Sequence, residues 1–140
     1  MEYDLERFLH AQEDVYPRAL QEIKAGQKRG HWMWYIFPQI HGLGNSDTAR
    51  YYAIQNPMEA EAYLRHPILG HRLEEISYAL LLQDTKDPKK IFGYTDSLKL
   101  RSSMTLFYNV SHSFLYKKVL DKFYHGEMDQ RTLDILKTEG

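Results

Sequence analysis

The sequence predicts an all-α fold, and three observations carry that prediction. Apolar residues recur at three- and four-residue spacing through most of the chain. Helix start and stop words punctuate it, among them Gly26, Asn56-Pro57, His66-Pro67 and Gly126. The connections carry too few hairpin signals for a sheet. The expected architecture is one globular domain over residues 1–140, built from about eight short-to-medium helices.

The elements follow in order. Leu5, Phe8, Leu9, Val15, Tyr16, Ala19, Leu20 and Ile23 set a helical spacing over residues 4–26, interrupted at Pro17. Asp14 is read as the N-cap of a second helix, with Pro17 in its first turn and Gly26 as its stop. Residues 31–37 are too few to assign by period. A short helix ending before Pro38 is preferred to a buried strand, because nothing else in the chain reads as a pairing strand. Asn45 or Ser46 caps a helix to about Ile54, with Ala49, Tyr52 and Ala53 inward. Asn56 caps the next, which carries Met58, Ala62, Tyr63 and Leu64. Ile68, Leu69, Leu73, Ile76, Leu80 and Leu81 mark the longest helix, residues 68–83. The polar stretch from Asp84 to Lys90 is a connection, and Ile91-Phe92-Gly93 a short apolar anchor. Thr95 or Asp96 caps a helix over residues 97–109, with Leu98, Leu100, Met104, Leu106 and Phe107 as core candidates. Ser111 or Ser113 starts another, with Phe114, Leu115, Val119, Leu120 and Phe123 inward and Gly126 as the stop. Asp129 caps the last, with Leu133, Ile135 and Leu136.

Composition narrows the function classes. Hydrophobic residues make up 43% and charged residues 26%, the balance of a soluble globular protein. Eighteen Lys and Arg against nineteen Asp and Glu give a formal net charge of -1, which argues against non-specific binding to a nucleic-acid backbone. The sequence has no Cys, hence no disulfide framework, thiol nucleophile or thiolate metal site. The amino end, MEYDLERFLHAQED, is acidic and amphipathic and does not read as a signal peptide. No apolar run approaches the roughly 18 residues of a membrane helix. A cytoplasmic protein is the expectation. The seven His form no metal-binding word, so no metal and no cofactor are assigned.

The stretch KRGHWMWYIFPQIHGLGNS, from Lys28 to Ser46, is the candidate site. It sets two Trp, one Tyr and one Phe between a basic cluster and a glycine loop. Gly42 and Gly44 permit close backbone approach, and a helix starting at Ser46 turns free N–H groups toward an anion. Lys28, Arg29, His31 and Arg50 lie near in sequence. On a helix, Trp32 and Trp34 differ by about 200° around the axis, so they cannot face one core in the same way, and one of them is available to stack on a flat ligand. Gln39 can read a ring edge by hydrogen bonds. His31, with an unperturbed pKa near neutrality, is the candidate acid–base group. A second word, TDSLKLRSS, puts Asp96, Lys99 and Ser103 on one helical face and makes Lys99 a second catalytic candidate beside a Ser103 ligand contact.

These residues give two functional expectations. The first is a small-molecule-binding or enzymatic domain for an anionic aromatic ligand such as a nucleotide. Its ligand-binding residues would be Lys28, Trp34, Gln39, Gly42, Gly44, Ser46 and Ser103, and its catalytic candidates His31 and Lys99. The alternative is a protein–protein or self-association module that uses the exposed part of the Trp-rich segment. Membrane partners are excluded on this reading, nucleic acid is disfavoured, and the oligomeric state is open.

Five words, HWMWYIFPQI, GLGNSDTARYYAI, EAEAYLRHPILGHRL, IFGYTDSLKLRSSMTLF and FYHGEMDQRTLDIL, resemble the family catalogued as domain of unknown function 1810. The words themselves lie between His31 and Leu136, and the resemblance is read from Phe8 to Leu136. The resemblance implies a compact all-α domain and no defined activity. Some members have carried a protease-inhibitor label (calpastatin), for which this chain shows neither repeats nor a disordered composition.

Overall fold

Helix-capping chemistry sets most element boundaries in the computed structural model, which describes residues 3–139. Among these residues there are nine helices: α1 Glu6–Gln12, α2 Tyr16–Lys24, α3 Met33–Ile36, α4 Asp47–Tyr52, α5 Pro57–Arg65, α6 Leu69–Leu81, α7 Pro88–Ser111, α8 Phe114–Tyr124 and α9 Gln130–Glu139. The all-α expectation holds. Ser46 accepts from the Ala49 N–H, Asn56 from Glu59, Ser113 from Leu115 and Asp129 from Thr132, each satisfying an N–H that the helix itself leaves unpaired. The aromatic run forms the short α3, which ends before Pro38 as expected.

Two caps differ from expectation. Val15, not Asp14, stands at the N-cap of α2, with helical dihedrals and no side-chain bond. The Val15 N–H already bonds Gln12 at 3.1 Å, so the turn joining α1 to α2 leaves no extended residue for Asp14 to cap from. At α7, Asp87 is the cap, accepting from the Lys89 N–H at 3.0 Å. Gly93, at φ 78 and ψ 172, then interrupts the helix, which has resumed by Thr95. Thr95 and Asp96 therefore lie inside the helix and cap nothing. Gly93 supplies a positive φ that a residue with a Cβ rarely adopts.

The core is a single cluster. α6 packs among α2, α5 and α8, while α7 runs along α8 and also meets α5 and α9. Aromatic residues fill its centre: Phe8 meets Tyr63 edge-on at 5.1 Å, and Phe92 meets both Trp32 and Phe37 edge-on. Four apolar residues expected inward are exposed: Met58, Ile68, Leu98 and Phe114, the last at 74%. Met58, Ile68 and Phe114 sit at or beside helix N-termini, before the inward stripe begins. Leu98 is two residues from buried Leu100 and so turns to the opposite face. Gly70 lets α6 press against the end of α5, since a Cβ there would lie 2.0 Å from the Leu64 carbonyl oxygen.

Two polar devices fix the region around the Trp-rich segment. The guanidinium of Arg7 forks onto Glu59 at 3.1 and 3.2 Å, and also donates to the carbonyls of Asp4, Tyr51 and Ala53. Then Ile40 and Ile54 form an isolated parallel bridge: Ile54 N–H donates to Gln39 O at 2.8 Å, and His41 N–H to Ile54 O at 2.9 Å. This bridge lays the chain after Pro38 beside the linker between α4 and α5.

Candidate functional site

One hollow opens where that bridge folds the glycine loop back against α4. It holds about 370 Å³ and is lined by Trp34, Gln39, the Gly42–Gly44 loop, Arg50, Tyr52 and Gln55 among others. A second hollow, of about 310 Å³, lies between this loop, α7 and the start of α9. Trp34, Gln39 and Leu43 line both and form a common wall. Gly44 lets the loop press against α4: a Cβ there would sit 2.8 Å from the Ala49 Cβ, while the Trp34 ring, 3.4 Å away, would be in ordinary contact.

The two tryptophans have separate roles: Trp32 stands at the N-cap of α3 with non-helical dihedrals, and Trp34 lies within the helix. Trp32 is buried in the core and donates its indole N–H to Glu22 at 2.9 Å. The same carboxylate oxygen accepts the backbone N–H groups of Arg29 and Gly30, so Glu22 anchors the entry to the segment. Partial burial pushes the Glu22 carboxyl up, but these three donors outweigh it and hold the pKa below the ordinary glutamate value. Trp34 is half-buried, and the ammonium of Lys99 lies over its ring at 4.2 Å.

Asp96 holds that ammonium in place. Its carboxylate binds Lys28 at 2.8 Å and Lys99 at 3.1 Å. Burial pushes the Asp96 carboxyl up, but hydrogen bonds and charge from the two lysines prevail, leaving its pKa lowered. Arg101 and Arg131 complete the cationic side of the second hollow. Arg131 donates to the Gly42 carbonyl at 3.1 Å, tying α9 to the glycine loop. The Asp129 carboxylate, also on this wall, is engaged as the cap of α9 by the Thr132 N–H and hydroxyl. Two donors in this wall lack acceptors: Gln39 Nε2 and Arg101 Nε are buried without a hydrogen-bond partner.

The sequence candidates divide accordingly. Trp34, Gln39, Gly42 and Gly44 line the first hollow, and Trp34, Gln39 and Lys99 the second. Lys28 lines neither but is joined to Lys99 through Asp96. His31 is exposed and lines neither hollow. Ser46 lines neither hollow; its hydroxyl caps α4, and that helix is only six residues long. Ser103 is sealed in the core with its hydroxyl unpartnered and makes no bond to Lys99, so no serine–lysine pair forms; the neighbouring Ser102 lines the second hollow instead. Asp96, Arg101, Asp129 and Arg131 complete the arrangement without having been singled out as site residues. The TDSLKLRSS word contains the first two, but nothing local marks the α9 pair as neighbours of Trp34.

Trp32, Met33, Ile36 and Phe37 are buried, while Tyr51, Tyr78, Leu82, Tyr94 and Phe114 are among the large exposed side chains. Among the described residues, no helix is long and apolar enough to cross a membrane.

Comparison with known proteins agrees with this architecture. The crystal structure of the conserved hypothetical protein Rv1873 from Mycobacterium tuberculosis is similar to this chain, with a TM-score of 0.94 and 44% sequence identity over 96% of this chain and 97% of that one. No curated protein matches. The family described as "Protein of unknown function (DUF1810)" matches residues 2–136, and the chain therefore belongs to the DUF1810 family.

Proposed function

We propose that this protein binds a small molecule carrying an anionic group and a flat ring, of the nucleotide class, in the paired hollows on either side of the Trp34–Gln39–Leu43 wall. The observation that carries the reading is the juxtaposition at Trp34: an indole wall, a lysine ammonium 4.2 Å from its ring, and a glutamine whose buried amide nitrogen has no partner. An aromatic wall serves a flat ring, a fixed cation serves an anion, and an unpaired buried donor serves a ring acceptor. Each hollow has the volume of a modest ligand pocket. The reading extends to binding. His31 lies outside both hollows and Lys99 is held by Asp96, so no reaction is proposed.

The test is thermal unfolding against a panel of nucleoside monophosphates, nucleosides and sugar phosphates. A ligand at a hundredfold its Kd stabilises the folded chain by about 2.7 kcal/mol. For a domain of this size that raises Tm by roughly 5–10 °C. A nucleotide that raises Tm for the wild type but not for Trp34→Ala supports the reading. A flat response across the panel at millimolar ligand contradicts it.

A further inference from the structure

The second hollow is rich in donors and poor in acceptors. Lys99, Arg101 and Arg131 bring three positive charges to its wall, against one lining carboxylate, Asp129, whose Oδ2 is already engaged in capping α9; Asp96, outside the lining, pairs with Lys99. Among the described residues, four buried side-chain atoms have no hydrogen-bond partner, and two of them belong to this wall, Gln39 Nε2 and Arg101 Nε. A buried donor left unpaired costs about 1–3 kcal/mol, and an ionised acceptor satisfies it best. Arg101 has weak internal partners: Glu127, itself exposed, at 4.0 Å, and the Tyr124 ring, whose centroid lies 6.0 Å away. The first hollow differs in character. Its cation is Arg50, and Gln39, Asn45, Tyr52 and Gln55 give it neutral polar groups and an aromatic ring.

From this contrast we infer that the second hollow is an oxyanion subsite for a phosphate monoester, while the first takes the attached heteroaromatic ring, so that the ligand passes Gln39 with its phosphate at α7 and α9. This rests on the nucleotide-class reading above and adds where each end sits. It moves the anion from the glycine loop and the Ser46 end of α4 to residues far along the chain. Gln39 lies where the two ends join. Its terminal torsion is soft, so its amide can turn a donor into either hollow.

The test is isothermal titration of the full chain with AMP, UMP, adenosine and inorganic phosphate, for the wild type and for Arg131→Glu, Lys99→Met and Arg50→Glu. Arg131 is exposed and sits in the first turn of α9, so reversing its charge leaves the core intact; circular dichroism checks this. Arg131→Glu is expected to weaken AMP and UMP about tenfold or more, with adenosine changing by less than about threefold. Lys99→Met, which keeps an apolar stem on Trp34, is expected to weaken the nucleotides in the same direction. Nucleotide affinity that falls in Arg50→Glu and not in Arg131→Glu returns the anion to the glycine loop; it overturns this inference and leaves the proposed site standing. Equal weakening of AMP and adenosine in Arg131→Glu also overturns it. A wild type that binds none of the four probes overturns this inference and the proposed function together.

Discussion

The Arg7–Glu59 pair gives the most quantitative prediction. Both side chains are nearly sealed, at 6% and 2% exposure. Glu59→Gln keeps the shape and one acceptor oxygen but leaves the guanidinium without its counter-charge. Breaking a buried ion pair from one side typically costs about 3–5 kcal/mol, because the remaining charge is stranded. Here the carbonyls of Asp4, Tyr51 and Ala53 still accept from Arg7, so the expected loss lies near the lower end, about 3 kcal/mol. Urea denaturation measures it as a lower midpoint with an unchanged slope. The double variant Arg7→Met/Glu59→Leu removes both charges and should recover most of the loss. A Glu59→Gln protein within about 1 kcal/mol of wild type refutes the reasoning, as does a double variant weaker than the single. The pair also holds the chain from Tyr51 to Ala53, and Tyr52 and Ala53 line the first hollow, so the same variant should soften that wall.

Other expectations follow from single contacts. Gly70→Ala would force a Cβ into the Leu64 carbonyl, so α5 and α6 must part; a loss of several kcal/mol, read as a Tm lowered by about 10 °C or more, is expected. Asp96 has a lowered folded pKa, so it stabilises the folded state above the ordinary aspartate value near pH 4 and loses that contribution as pH falls through its lowered value. Asp96→Asn should therefore lower stability at neutral pH and show a shallower loss as pH falls below the ordinary aspartate range, measured by urea midpoints at each pH. Phe114→Ser, at a 74% exposed position, should change stability by less than about 0.5 kcal/mol in the same assay, although its apolar character suggested an inward residue.

The helices were legible because their signals are local. Ser46, Asn56, Ser113 and Asp129 each sit two or three residues from the N–H they satisfy, and Gly26 and Gly126 adopt the positive φ that ends a helix. Gly93 misled in the opposite sense, since a glycine that looked like the end of an anchor only interrupts a helix already capped by Asp87. The first hollow was legible in Trp34, Gln39, Gly42 and Gly44 because one continuous stretch builds most of it. The cationic wall of the second was not, because Arg101 and Arg131 reach Trp34 only through the packing of α7 and α9, and neither residue carries a pattern different from an ordinary solvated arginine. His31 and Ser46 lie in the right stretch of chain but line neither hollow. Proximity along the chain was no guide to either.

The most direct measurement is a crystal structure of the wild type grown with AMP or UMP. The ring is expected against Trp34 and Gln39 in the first hollow, with the phosphate within hydrogen-bond distance of Lys99, Arg101 or Arg131. Both hollows holding only water at saturating nucleotide, or the nucleotide bound on another face with Trp34 untouched, would contradict the account.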